Sequence, residues 1–157
     1  MRLFIGVDFP KRVVDELCSL QNTIRDLVRG GRFPAPDNLH LTLQFLGETP
    51  ESRIAEIHRA LSAVASRHAP FQLAVDDRIG YFGSMNPVRV AWVGMKGDVS
   101  ALSAIQADVA TAMSELGFAA EERAYKPHIT LARDAFFLQS EVNLKKGAIS
   151  LPITPVP

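Results

Sequence analysis

Two short segments of the chain carry histidine and threonine in the same order. The first motif is HLTLQFLG, residues 40–47, and the second motif is HITLAR, residues 128–133. In each motif a threonine follows the histidine at the second position after it. The alternation of apolar and polar residues predicts a strand for each motif, with the histidine and the threonine on the same face.

Histidine and threonine suit a reaction in which one oxygen displaces another on the phosphorus of a phosphodiester. Histidine is the side chain whose unperturbed pKa lies near neutrality, so one member of a pair can accept a proton while the other donates one. A threonine two residues further on lies about 6.6 Å along the strand. Its hydroxyl can donate to a non-bridging phosphoryl oxygen, where charge grows in the transition state.

A single His-x-Thr segment is most often a polar pair on a protein surface. Here the pattern occurs twice, and each copy follows a segment that contains proline. That repetition favours a functional role for the two segments over two polar surface pairs. No nucleophilic triad, glycine-rich phosphate loop or HExxH motif competes with it, so neither a metal nor a cofactor is expected.

The composition is that of an ordinary globular protein. The chain has 157 residues, 47% of them hydrophobic and 22% charged, which predicts a single domain, residues 1–157, that could consist of two small lobes. Lys plus Arg equals Asp plus Glu, which argues against a broad nucleic-acid-binding surface. The single cysteine, Cys18, excludes an internal disulfide framework and a cysteine-rich zinc module. The absence of a secretory or membrane-spanning pattern predicts a cytoplasmic protein without a membrane partner.

Hydrophobic periodicity predicts an α+β fold. The predicted elements, in chain order, are a strand at 2–9, a helix at 11–29, a strand at 40–47, a helix at 50–67, strands at 71–81 and 88–95, a helix at 98–116, a short strand at 118–122 and a strand at 128–133. Two small antiparallel sheets, each covered by helices on one face, account for this order. The uncovered faces would then look at each other across a cleft.

The first motif has a predicted core side and a predicted cleft side. Strict alternation places Leu41, Leu43 and Phe45 in the core, and it places Gln44 on the same side as His40. After the second motif, residues 136–144 are predicted to form one or two helical turns. Residues 149–157 contain three prolines and are therefore excluded from a central strand.

Four longer strings carry a resemblance to a known family: RLFIGVDFP, DNLHLTLQFLGE, PVRVAWVG and YKPHITLAR. Together they resemble the RNA 2′,3′-cyclic phosphodiesterases, also described as 2′-5′ RNA ligases, of the two-histidine phosphoesterase superfamily. The resemblance covers residues 2 to 133. It implies a bilobal fold with a pseudo-two-fold axis and a central cleft. It also implies metal-independent hydrolysis of 2′,3′-cyclic phosphates on RNA ends or nucleotides, leaving a 2′-phosphate.

By position in the motifs, the resemblance implies that His40 and His128 are the catalytic acid–base pair. It implies that Thr42 and Thr130 bind the phosphate, and that Arg133 contacts it as well. Strict alternation, however, places Arg133 on the core face of its strand. Arg133 can reach a phosphate only if the strand ends or bulges there.

The end of the chain departs from the family pattern. Relatives continue past the second motif with another strand, whereas this chain ends in ISLPITPVP. A shortened or divergent end predicts an exposed sheet edge beside His128. For the nucleoside, the candidates from sequence are Phe33, Phe82 and Tyr125, because aromatic side chains stack on bases.

Two other functions remain open from the sequence. One is a catalytically silent module that binds RNA ends or nucleotides in the same cleft. The other is 2′-5′ end joining, which the same acid–base pair permits by microscopic reversibility. We expect a monomer, with His40 as the acid for the leaving O3′ and His128 as the base for water.

Overall fold

The computed structural model describes residues 1–85, 87–138 and 155–156. In this part of the chain three α-helices and seven strands occur. The helices are α1 (Lys11–Leu27), α2 (Ile54–Ser66) and α3 (Val99–Glu115). The strands are β1 (Arg2–Val7), β2 (Val28–Arg29), β3 (Leu41–Glu48), β4 (Leu73–Met85), β5 (Val88–Gly97), β6 (His128–Phe137) and β7 (Pro155–Val156).

The strands form two antiparallel sheets. One sheet pairs β1 with β3, and the other has five strands in the order β2-β6-β5-β4-β7. Helix α1 packs against β6, while α3 packs against β3 and α2. The predicted α+β architecture, with outer helices and a central cleft between two sheets, is confirmed.

The helices bury one apolar stripe each. In α1 the residues Val13, Leu17, Leu20 and Ile24 recur every three or four positions and are all at most 1% exposed. In α3 the buried residues are Leu102, Val109 and Met113. Among the residues that the structure describes, no helix has the length and apolar character needed to cross a membrane.

Strand β3 contains a bulge directly after Thr42. Gly6 of β1 lies opposite Thr42 and Ile5 lies opposite Gln44, so Leu43 is an extra residue in β3. A bulge of this kind changes which side chains face each side of the sheet. Leu41 and Leu43 are buried as predicted, but Gln44 is 4% exposed and Phe45 is 51% exposed. The prediction was therefore wrong beyond Leu43, because the bulge turns Gln44 into the core and Phe45 outward.

Strand β6 bulges at the equivalent position. Trp92 of β5 lies opposite Thr130 and Ala91 lies opposite Ala132, so Leu131 is the extra residue. Leu131 and Ala132 are both fully buried, and Arg133 is exposed. The bulge thereby brings Arg133 to the same face as Thr130. In both motifs the bulge directly follows the threonine. The pseudo-two-fold relation of the fold therefore holds residue by residue in this part of the two strands.

Two glutamines from the covering helices contact the bulged residues. Gln21 of α1 donates from Nε2 to the carbonyl of Leu131 at 3.1 Å and to that of Pro34 at 3.0 Å. Gln106 of α3 donates from Nε2 to the carbonyl of Leu43 at 3.4 Å. A residue outside the regular strand ladder needs another partner for its backbone groups. The two side-chain amides supply that partner.

The segment before the second motif is hydrogen-bonded to the first motif. The phenol of Tyr125 donates a hydrogen bond to the Thr42 carbonyl at 2.9 Å. Burial raises the pKa of Tyr125 to about 12, so the phenol remains a donor across the neutral range. The prediction of a strand at residues 118–122 was wrong, because residues 118–127 form no strand.

The outer edge of β6 is covered over part of its length. Strand β2 pairs with Phe136 and Phe137, so the prediction of a helical turn was wrong at these two residues. Arg32 pairs with Arg133 through two backbone hydrogen bonds of 2.8 Å. The predicted bare edge is therefore paired at Arg133 and beyond. The predicted helical turns after residue 138 lie outside the described residues.

Residues 155–156 at the end of the chain form the short strand β7. It pairs with Leu73 and Ala74 of β4 at the outer edge of the larger sheet. An edge position suits proline, which has no backbone N–H to donate to a further strand.

We predict that Gln21→Met lowers the free energy of unfolding by about 2 kcal/mol. Methionine has a similar length but no N–H, so it leaves the buried carbonyl of Leu131 and the partly buried carbonyl of Pro34 without this donor. Urea denaturation measures the change. Thr23→Ala, at an exposed position of the same helix, is the control and should stay within about 0.5 kcal/mol of the wild type. A Gln21→Met protein as stable as the wild type would contradict this role.

We also predict that Tyr125→Phe lowers the free energy of unfolding by about 1 kcal/mol, because the hydrogen bond to Thr42 is lost. The folded-state pKa is raised from 10.0 to about 12, so the phenol's contribution is complete below pH 10 and is lost as the pH rises towards 12. The stability difference between the two proteins should shrink over that interval. An ultraviolet titration in which the Tyr125 phenol ionises near pH 10 would contradict the burial.

Candidate active site

His40 lies immediately before β3 and is held there by its buried neighbours. Leu39 and Leu41 on either side of it are 3% and 0% exposed, so they anchor the backbone while the imidazole turns away from the core. The imidazole stacks on the ring of Phe4, with ring centroids 4.2 Å apart and an interplanar angle of 17°. Thr42 follows on the same strand, opposite Gly6.

His128 occupies the equivalent place at the start of β6. Its Nδ1 lies 2.7 Å from the carbonyl oxygen of Lys126. A carbonyl only accepts hydrogen bonds, so Nδ1 carries the proton in this contact. In the neutral ring, Nε2 is then the basic nitrogen. Thr130 follows, opposite Trp92 of β5.

Aromatic rings border His128 on its sheet. Phe82 meets the imidazole edge-on at 5.1 Å, and Trp92 lies 6.1 Å from it and 5.2 Å from Phe82. The indole covers Gly80 of β4 so closely that a Cβ there would fall 2.3 Å from the ring. Trp92 was not among the site residues predicted from the sequence. A tryptophan in a strand, with glycines available for the facing positions, was the signal that could have identified it.

Arg133 lies on the same face of β6 as Thr130, and its guanidinium has no acidic partner in the described part of the chain. The adjacent carboxylate, that of Asp134, is bound instead by Arg32, whose Nε lies 3.2 Å from Oδ2. Asp134 has a φ of 53°, a left-handed conformation that aspartate tolerates better than most residues. The Arg133 guanidinium is thus exposed and can pair with an anion.

The structure brings each motif's predicted residues to one face of its own sheet. His40 and Thr42 lie on the β1–β3 sheet, whereas His128, Thr130 and Arg133 lie on the five-stranded sheet. Strands β3 and β6 contact each other. Among the described residues, no group of three His, Cys, Asp or Glu side chains is arranged to bind a metal ion.

Of the three aromatic residues suggested for the nucleoside, Phe82 contacts a motif histidine. Phe33 instead lies beneath the Arg25 guanidinium of α1, 4.4 Å from it, and the Tyr125 phenol is bonded to backbone. Phe4 and Phe45, which were not predicted as site residues, lie on the same face as Thr42. Strict alternation hid Phe45 because it assigned this residue to the core.

Known proteins resemble this chain in sequence and in fold. The sequence matches the family described as LigT like Phosphoesterase at residues 7–92 and 93–150. It is 40% identical over 97 residues to an RNA 2′,3′-cyclic phosphodiesterase of Geobacillus stearothermophilus, covering 62% of this chain and 30% of that protein. It is 32% identical over 136 residues to the Methanocaldococcus jannaschii protein of the same name, covering 87% of this chain and 73% of that one.

Among solved structures, the chain resembles Escherichia coli LigT complexed with 3′-AMP. The TM-score is 0.69 and the sequence identity is 31%, with 99% of this chain and 83% of that chain covered. The family match spans most of the sequence, and the fold and both motifs agree with it. The chain belongs to the LigT-like phosphoesterase family, within the two-histidine phosphoesterase superfamily.

Proposed function

We propose that this protein hydrolyses the 2′,3′-cyclic phosphate of RNA ends or nucleotides to a 2′-phosphomonoester, without a metal ion. The observation that carries the proposal is the equivalence of the two motifs. Each presents its histidine and threonine at the same register, immediately before a bulge of the same kind. The similar proteins of Geobacillus stearothermophilus and Methanocaldococcus jannaschii are named RNA 2′,3′-cyclic phosphodiesterases.

In the proposed reaction, His128 acts as the general base. Its Nε2 takes a proton from water as the water oxygen attacks phosphorus. The bond between phosphorus and O3′ breaks, and His40 gives its proton to the leaving O3′. The product carries the phosphate on O2′, and both histidines return to their starting states by proton exchange with solvent.

The hydrogen bond at His128 supports this division of roles. The Lys126 carbonyl holds the proton on Nδ1, which leaves Nε2 free to accept one from water. Thr42 and Thr130 would donate to the non-bridging oxygens, one from each motif. Arg133 would add a charge-assisted hydrogen bond to the same group, and it would balance the charge that accumulates in the transition state.

We predict that His40→Ala and His128→Ala each reduce kcat for a 2′,3′-cyclic nucleotide by about 10²–10⁴-fold, because each removes one proton-transfer group. EDTA should leave wild-type activity unchanged. His58→Ala, at an exposed position on α2, is the matched control and should retain full activity. Thermal melts of the variants would exclude loss of folding as the cause.

Three outcomes would each contradict the proposal and support a different mechanism or function. Activity that disappears with EDTA and returns with zinc would contradict the metal-free mechanism. Binding of a 2′-phosphorylated product by a wild-type protein that shows no turnover would identify a silent binding module. Formation of 2′-5′ linkages between RNA ends in preference to hydrolysis would identify end joining as the activity.

We predict that Arg133→Ala lowers kcat/KM by about 10- to 100-fold, which corresponds to one hydrogen bond to a charged group. Arg133→Lys should recover only part of the loss, because lysine keeps the charge but not the planar pair of donors. Arg89→Ala removes the same charge from an exposed position on the neighbouring strand β5 and serves as the control. Equal activity of Arg133→Ala and Arg89→Ala would exclude a role for Arg133 in binding phosphate.

A further inference from the structure

The segment that leads into the second motif contributes one side chain to the interior of the protein. Within residues 119–126, Tyr125 is the one residue that is not exposed. Its ring packs against the hydrophobic core, and its hydroxyl donates to the Thr42 carbonyl of the first motif at 2.9 Å. The two residues are 83 positions apart in the chain. This hydrogen bond therefore joins the two halves of the candidate site directly.

The connection from Tyr125 to His128 is stiff. Pro127 has a fixed φ, and Lys126, because it precedes a proline, is restricted to extended backbone. The carbonyl of Lys126 accepts the hydrogen bond that Nδ1 of His128 donates, at 2.7 Å. A displacement at Tyr125 would thus reach the imidazole through two residues that have little freedom to absorb it.

The phenol of Tyr125 suits a permanent contact of this kind. Burial raises the pKa of Tyr125 to about 12, so the hydroxyl stays protonated and donates throughout the pH range in which imidazole titrates. Phenylalanine at this position would keep the ring and its packing but would lose the donor. The hydrogen bond can therefore be removed without emptying the core.

We propose that Tyr125 is a positioning residue for the hydrolysis. Its hydrogen bond to Thr42 fixes the Lys126 carbonyl, and that carbonyl holds the imidazole of His128 in its place and in its tautomer relative to the first motif. This inference rests on the proposed function, in which His128 takes a proton from water. A reacting group that is misplaced by about 1 Å can cost about 10²-fold in rate.

We expect Tyr125→Phe to lower kcat for a 2′,3′-cyclic nucleotide by about 10-fold and to leave KM within about twofold of the wild type, because the base is displaced while the phosphate-binding groups remain. Tyr81→Phe, at the other tyrosine of the chain, is the matched control and should keep both constants. Val64→Ala, at a buried position of α2, controls for lost stability and should lower the free energy of unfolding without lowering kcat. Equal losses of kcat in Val64→Ala and Tyr125→Phe would overturn the inference.

A double variant shows whether Tyr125 acts through His128. In a His128→Ala protein, the addition of Tyr125→Phe should leave the residual kcat unchanged, because the side chain that Tyr125 positions has been removed. A further loss equal to that seen in the wild-type background would mean that the hydroxyl acts through Thr42 or through the fold as a whole. That result would also overturn the inference.

Nitrogen NMR of the imidazoles does not depend on turnover. At about pH 9, where histidine is neutral, His128 of the wild type should carry its proton on Nδ1, and Tyr125→Phe should show a mixture with the Nε2–H form. The exposed His58 is the internal control and should be the same in both proteins. If this change is seen but the wild type hydrolyses no cyclic phosphate, the proposed function fails and the positioning of His128 by Tyr125 stands. Active enzyme in which Tyr125→Phe leaves kcat or the His128 tautomer unchanged would overturn the inference alone.

Discussion

The arrangement of the candidate site depends on a β-bulge that directly follows the threonine of each motif. The bulges after Thr42 and Thr130 break the strict alternation, and they place Arg133 and Phe45 outward where a regular strand would bury them. A bulged residue loses its place in the strand ladder, so its carbonyl needs another donor. Gln21 and Gln106 supply that donor from helices on the covered faces.

Local pattern was enough to predict the parts of the fold that depend on neighbouring residues. The helices followed from apolar spacing, and the period of two placed Leu41 and Leu43 in the core of the first motif. The same period placed His40 with Thr42 and His128 with Thr130. These predictions succeeded because each rests on a few consecutive residues of regular backbone.

The remaining features depend on contacts between distant residues. No local signal marks the bulges, because their register is set by partner strands and by amide contacts such as that of Gln21 to Leu131, which is distant in sequence. For the same reason strict alternation placed both Phe45 and Arg133 on the core face of their strands. Trp92 lies near His128 because β5 pairs with β6, and this pairing cannot be predicted from consecutive residues alone.

In the proposed mechanism two histidines share the proton transfers, with His128 as the base and His40 as the acid. The most direct test is the pH dependence of kcat/KM for a 2′,3′-cyclic nucleotide, with the residual activity of each single variant. The two-histidine mechanism predicts a bell-shaped wild-type profile that loses its rising limb in His128→Ala and its falling limb in His40→Ala. A wild-type profile with a single limb, or variants that keep both limbs, would contradict it.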